Sequence, residues 1–232
     1  MDVSVILPTY NERENMIELI DAIMEQLLPM NIDKEIIVVD DNSPDGTGKL
    51  VQDHFAENKE VKAFIRTEER GFATAIRYGI EKSSGKIIVV MDTDFNHDPK
   101  MLPRMIKFLE YYDIVVGSRF TSGGGMYDNT RYLSSYFYNF LIRITLLTRL
   151  QDNLSGFFAI RRKFLLPLDF NKIFWGYGDY FFRLLFYAEK SGATILDIPV
   201  TYQKRKNGER KRRLLSVLVQ YSIALIKLRF FK

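Results

Sequence analysis

A chain of 232 residues, 47% hydrophobic and 14% aromatic, can bury one sizeable core, as a single large domain or a domain with an appendage. It has no cysteine, which excludes disulfides and thiol chemistry. The formal charge of +4 divides unevenly: residues 204–232 hold ten Lys or Arg against Glu209 alone, a net +9, and the remainder stands at −5. A basic tail on an acidic body points to an anionic partner surface, nucleic acid or lipid headgroups.

Met1-Asp2-Val3 opens directly into a strand without a basic, apolar signal segment, and a cytoplasmic protein is expected. Val3 to Leu7 is a short apolar run ending at Pro8, after which Asn11 is placed to cap a helix to about Leu28. Glu35 to Val39 repeats the scheme and ends at Asp40-Asp41. Asn42-Ser43-Pro44-Asp45-Gly46 is then dense turn chemistry before a helix over about 47–57. Gly46-Thr47-Gly48-Lys49-Leu50 is not a Walker A loop, because Ser43 and Leu50 stand where that motif needs Gly and Ser or Thr. Val61 to Ile65 predicts a third strand, Phe72 to Lys82 a third helix, Ile87 to Met91 a fourth strand, Pro99 to Tyr111 a helix and Ile114 to Val116 a fifth strand.

Alternation at this spacing gives parallel βαβ units, so the fold class is α/β, a doubly wound, mostly parallel sheet with polar loops gathered at its carboxyl edge. Asp40, Asp41, Asp92 and Asp94 all fall on that edge. After Gly117 the alternation stops: a Gly-rich loop covers 121–130, an aromatic-rich helix 132–150, a strand 156–160, a helix 178–190 and a last strand 194–200. With no internal repeat and no low-complexity linker, one catalytic domain over 1–203 and an attachment over 204–232 are expected.

The stretch Ile87 to Asp98, IIVVMDTDFNHD, organises the rest. Its apolar half reads as a strand buried on both faces, and its outer end is abruptly acidic. Asp92, Asp94 and Asn96 alternate, so in extended geometry their oxygens project to one side and can converge on a hard cation. An EF-hand is excluded, because His97 and Pro103 stand where that loop needs Gly and Glu. What remains is a Mg²⁺ or Mn²⁺ site at the carboxyl end of a buried strand, where open α/β sheets bind ligands. The alternative is an acidic turn with Asp98-Pro99 starting a helix. His97 reads as a loop hydrogen-bonder, Asp179 as a helix N-terminal carboxylate, and Trp175 with the aromatics near Phe181 as core.

Four motifs occur in register: Ile6-Leu7-Pro8-Thr9-Tyr10-Asn11-Glu12, Val38-Val39-Asp40-Asp41-Asn42-Ser43-Pro44-Asp45-Gly46-Thr47, Met91-Asp92-Thr93-Asp94-Phe95-Asn96-His97 and Ser155-Gly156-Phe157-Phe158-Ala159. Together they resemble the dolichol-phosphate mannose synthase group of inverting GT-A fold glycosyltransferases in glycosyltransferase family 2, over about Val3 to Lys211. The resemblance implies a nucleotide-sugar donor, a divalent metal and a polyprenyl (dolichyl) phosphate acceptor. It assigns Pro8, Tyr10, Glu12 and Asp40 to the donor's nucleoside, and Asp92, Asp94 and Asn96 to metal and diphosphate. Arg119, Arg131 and Ser135 lie in the segment resembling the acceptor-phosphate site, and Arg205 and Lys211 match a basic closing segment over the diphosphate. The chain departs from the pattern at Asn96, where Gln is usual, at Arg210, where Ser is usual, and over Gly178-Asp179-Tyr180-Phe181-Phe182.

Leu214 to Ile226 carries no formal charge but is broken by Ser216, Gln220 and Ser222 and flanked by basic residues. A membrane span needs about 20 apolar residues, so an amphipathic helix lying in the interface is expected, with its cations on anionic lipid. The alternative is a helix packed on the domain's own core. Residues 132–150 offer a second interfacial face through Tyr136, Phe137, Phe140, Leu141, Ile144 and Leu147. The overall expectation is transfer of mannose from GDP-mannose to a polyprenyl phosphate by an enzyme peripheral to the cytoplasmic membrane face, compatible with a membrane-protein recruiter. Other readings are a related transferase using GDP-glucose, a UDP-sugar or another acceptor, and a nucleic-acid-binding module acting through the basic tail. The last leaves the acidic cluster without a role, so no nucleic-acid partner is expected.

Overall fold

A computed structural model describes residues 1–204 and 214–230. Arg205 and Lys211 lie outside the described residues. In chain order the elements are β1 (Val3–Thr9), α1 (Arg13–Leu27), β2 (Lys34–Asp40), α2 (Thr47–His54), β3 (Val61–Ile65), α3 (Phe72–Lys82), β4 (Ile87–Val90), α4 (Leu102–Phe108), β5 (Ile114–Ser118), β6 (Gly125–Met126), α5 (Asn129–Leu146), β7 (Phe158–Arg161), α6 (Arg162–Leu165), α7 (Phe170–Ile173), α8 (Tyr180–Lys190), β8 (Ile195–Pro199), β9 (Thr201–Tyr202) and α9 (Leu214–Phe230).

Seven strands form one sheet in the order β3-β2-β1-β4-β7-β5-β8. Every neighbouring pair is parallel except those made by β7, which enters antiparallel between β4 and β5. The sheet is thus mostly parallel, as the alternation predicts, with one reversed strand that it does not reveal. So short a strand carries no sign of its direction; what reverses β7 is its approach from the 150–156 loop at the carboxyl edge.

Layering follows from side-chain alternation along buried strands. Val5, Leu7, Ile36 and Val38 face α1, whose Met16, Leu19, Ile20 and Ile23 recur at helical spacing and are fully buried. Ile6, Ile88 and Val90 face the opposite layer, where Ile76 and Ile80 of α3 and Phe181 and Leu184 of α8 pack. A third cluster joins α5, α8 and α9 through Ile142, Phe182, Tyr221, Ala224 and Leu228. The last helix therefore packs on the body with one face. Its other face exposes Val219, Ile223, Ile226 and Phe230, beside exposed Leu133, Phe137, Phe140 and Ile144 of α5. Among the described residues no helix is long and apolar enough to cross a membrane.

The amino edge of the sheet is tied by Glu35 of β2, which is fully buried. It accepts from Ser4 Oγ at 2.7 Å, from Ser84 N and Oγ at 2.6 and 2.8 Å, and from Lys62 Nζ at 2.7 Å. Burial alone would raise its pKa; the donors, Lys62 foremost, outweigh it and hold the carboxyl at about 2 against the usual 4.5. A depressed carboxylate stabilises the fold above its unfolded pKa, and that contribution is lost as pH falls through the folded value. Glu35→Gln is expected to cost about 1–2 kcal/mol at pH 7, after allowance for the half-exposed lysine. Urea unfolding should show the gap to wild type narrowing only as pH falls from 4.5 towards 2.

Candidate active site

The carboxyl ends of β1, β2, β4 and β5 open onto one cavity of about 640 Å³, closed on the far side by α5, the 154–156 and 177–180 segments, Tyr202 and α9. From the end of β1 and the turn after it come Pro8, Thr9, Tyr10 and Glu12, all lining it. The predicted cap Asn11 instead takes a left-handed turn at φ +54° and gives its N–H to Ser43 Oγ at 2.9 Å. Glu12 begins the helix, held by a bond from its N–H to Thr47 Oγ1 at 3.0 Å and by Asn15 Nδ2 on its carboxylate at 2.8 Å.

The two acids after β2 part company. Asp40 turns beneath the wall, where it accepts from Ser43 N at 3.0 Å and from Ser43 Oγ, and it does not line the cavity. Asp41 does line it, accepting from Gly71 N at 2.7 Å and from the Arg66 guanidinium, which also reaches Gly71 O. The Arg66 to Asp41 pair thereby pins the Arg70-Gly71 segment as the cavity's side wall.

Asp92 and Asp94 both line the cavity, but the loop carrying them is not extended: Phe95 at φ +62° folds it back on itself. The fold turns Asn96 onto Asp94, whose Oδ1 accepts from Asn96 N at 3.1 Å and whose Oδ2 accepts from Asn96 Nδ2 at 2.8 Å. Asn96 thus orients Asp94 in the structure. His97 pins the loop from below, its Nδ1 accepting from Asp92 N at 2.8 Å and its ring stacked on Phe157 at 4.7 Å. Burial pushes the imidazole down to about 4, so it is neutral near pH 7. Among the described residues no three His, Cys, Asp or Glu side chains group as metal ligands. Two carboxylates facing an open cavity still fit Mg²⁺ or Mn²⁺, because Mg²⁺ is usually held by one or two carboxylates with substrate phosphates and water completing the shell.

Across the cavity, Arg119 is buried and forked onto Asp152 through Nε and Nη2, each at 2.7 Å. Burial opposes its charge, but Asp152 more than compensates and the guanidinium stays protonated. Tyr202 lies under it with the ring centroid 4.7 Å away. Arg131, Ser134, Ser135 and Tyr138 line the cavity from successive turns of α5, whose N-terminus is capped by Asp128 accepting from Arg131 N at 3.0 Å. The structure brings Arg119, Arg131 and Ser135 to the same cavity as Asp92 and Asp94.

Asp179 does not line the cavity. It begins α8, pairs with Arg183 and accepts from Tyr177 N at 2.7 Å and from Gln220 of α9 at 3.3 Å, an arrangement that ties α8 to α9. The part of the wall that sequence reasoning missed is aromatic and apolar: Tyr138, Tyr177, Tyr180, Val217, Leu218 and Tyr221. These come from three elements far apart in the chain, and helical periodicity gives each an apolar face without naming its neighbour.

A glycosyl transferase family 2 profile matches residues 4–166. The chain is 36% identical over 218 residues to the dolichol-phosphate mannosyltransferase of Pyrococcus furiosus, covering 91% of this chain and 59% of that one. It is 34% identical over 218 residues to the undecaprenyl-phosphate mannosyltransferase of Micrococcus luteus, covering 87% of it. It is 30% identical to the dolichol-phosphate mannosyltransferase of Saccharomyces cerevisiae, covering 88% of it. The chain therefore spans about three fifths of the Pyrococcus relative and nearly all of the other two. In fold it is similar to glucosyl-3-phosphoglycerate synthase from Mycobacterium tuberculosis, solved with Mn²⁺, UDP and phosphoglyceric acid, with a TM-score of 0.72 at 22% identity over all of this chain and 79% of that one. A second structure of that synthase, with Mg²⁺ and UDP, gives 0.67 at 21% identity, over 98% of this chain and 79% of that one.

Proposed function

The chain belongs to glycosyl transferase family 2, and we propose that it transfers a sugar, mannose from GDP-mannose, with inversion to a polyprenyl (dolichyl) phosphate at the cytoplasmic face of a membrane. One observation carries this reading: a single cavity joins the acidic loop at Asp92 and Asp94 to an apolar end walled by α5 and α9, whose outer faces are exposed and apolar. A polar donor and a lipid acceptor need that juxtaposition. A nucleic-acid module does not, and it leaves the family match unexplained.

In this reading Pro8, Tyr10 and Glu12 flank the donor's nucleoside, and Asp40 supports that wall through the Ser43 turn. Asp92 and Asp94 hold Mg²⁺ or Mn²⁺, with Asn96 keeping Asp94 aimed. Bound there, such an ion supplies positive charge to a diphosphate as its bond to the sugar breaks. An acceptor phosphate oxygen attacks the anomeric carbon while the nucleoside diphosphate leaves with the bonding pair. That phosphate is already anionic near neutral pH, so little general-base help is needed. Arg131 and Ser135 orient it, and Arg119 adds its Nη1, both other guanidinium nitrogens being spent on Asp152. Arg205 and Lys211 are proposed as further cations on the diphosphate. Residues 1–203 then form the catalytic domain, and 204–232 the closing segment and interfacial helix.

The test is transfer of radiolabel from GDP-mannose into an organic-extractable product, with a short polyprenyl phosphate and either Mn²⁺ or EDTA. Extraction of label only with metal is expected. Label from GDP-glucose or a UDP-sugar but not GDP-mannose would change the donor, and silence with every donor would remove the polyprenyl acceptor. Flotation with anionic vesicles is expected too, and protein left unbound would remove the membrane part. Arg131→Ala should raise the KM for the acceptor roughly 10- to 100-fold, the worth of one charge-assisted contact, while the donor KM stays within about two-fold. Equal loss on both substrates would move the phosphate site elsewhere.

A further inference from the structure

We propose that the Tyr180 hydroxyl reads a hydroxyl group of the transferred sugar and so helps to set which hexose this enzyme accepts; this rests on the donor reading above. Tyr180 is fully buried at the start of α8, yet it lines the cavity. Its ring is packed against Phe174 at 5.8 Å and Phe72 at 6.0 Å, which fixes where the hydroxyl points. That oxygen has no hydrogen-bond partner among the described residues.

Folding gains nothing from burying an unpaired hydroxyl, and a phenylalanine would fill the same space at lower cost. Gly156, held at φ +73°, adjoins the oxygen: a Cβ there would stand in ordinary contact with Tyr180 Oη, at 3.7 Å. Burial, with the charge of Asp92 next, raises the phenol well above its usual pKa, so the donor proton is present at any working pH. Tyr180 lines the same cavity as Asp92 and Asp94, the space that would hold a sugar joined to a metal-bound diphosphate.

A site built to pair with a substrate hydroxyl discriminates strongly against an analogue lacking it, because the protein group is then left unpaired. The experiment measures kcat/KM for GDP-mannose and its monodeoxy analogues with wild type and Tyr180→Phe. Wild type should disfavour one deoxy position by roughly 10- to 100-fold, and Tyr180→Phe should lose about that factor on the parent donor and use parent and that analogue within about two-fold of each other. The melting temperature of Tyr180→Phe without substrate should equal or exceed that of wild type. An unchanged deoxy profile in the variant overturns the inference, as does a fall of several degrees in its melting temperature, which would make the hydroxyl structural. Absence of transfer from any nucleotide sugar by wild type is a different failure: it removes the donor reading, and this inference with it.

Discussion

Asp94→Ala is expected to lower kcat/KM by at least about 10³-fold, on the order of 4 kcal/mol of transition-state stabilisation. Asp94 is buried, lines the cavity, and has both oxygens fixed by Asn96, so its remaining lone pairs are aimed rather than free to reorient. Preorganised charge of this kind costs no reorganisation during reaction, which is why its loss falls on kcat as well as on binding. The alanine also leaves Asn96 Nδ2 without its acceptor, so the loop loses its internal brace. Mn²⁺ binding followed by electron paramagnetic resonance on the free protein gives a reading independent of turnover. Wild type should bind and Asp94→Ala should not; Mn²⁺ retained with turnover near normal would remove Asp94 from the site. Asn96→Ala should fall between the two, because Asp94 keeps its charge and loses only its orientation.

Much of this site was legible because its chemistry is concentrated in continuous runs. Ile87 to Asp98 declares a buried strand with acids at its end in twelve residues, and β2 with Asp40-Asp41 repeats the pattern. Finer placement was not legible, for reasons of geometry. Asp40 and Asp41 are adjacent, and which one meets the cavity is decided by Ser43 capturing the first and Gly71 with Arg66 capturing the second. Alternation of Asp92, Asp94 and Asn96 implies a common face only if the backbone is extended, and Phe95 at φ +62° breaks that premise. The apolar end of the cavity depends on α5 and α9 packing together, a contact between helices some 70 residues apart. Sequence spacing made both helices interfacial, while the structure shows each of them also burying a face.

Asp152 carried no motif and drew no attention in the sequence, yet Asp152→Ala is expected to be among the most destabilising substitutions in the chain. The carboxylate is fully buried and accepts from Arg119 N, Nε and Nη2, from Leu154 N at 3.2 Å and from Asn139 Nδ2 at 3.4 Å, joining the end of β5 to α5. Removing it leaves the Arg119 guanidinium charged in a place with little water. Breaking one side of a buried pair costs about 3–5 kcal/mol, or roughly 10 °C in melting temperature at this chain length. The double variant Arg119→Met with Asp152→Leu separates fold from function, since replacing both partners by apolar side chains is often close to neutral for stability. Thermal melts should show the double variant recovering the part that the stranded charge costs, with Arg119 N, Leu154 N and Asn139 Nδ2 still lacking their acceptor, while its KM for the acceptor phosphate stays raised about 10-fold or more for want of the Arg119 cation. Recovery of stability and acceptor use together would make the Arg119 and Asp152 pair a structural tie alone, and the acceptor phosphate would then rest on Arg131 and Ser135 of α5.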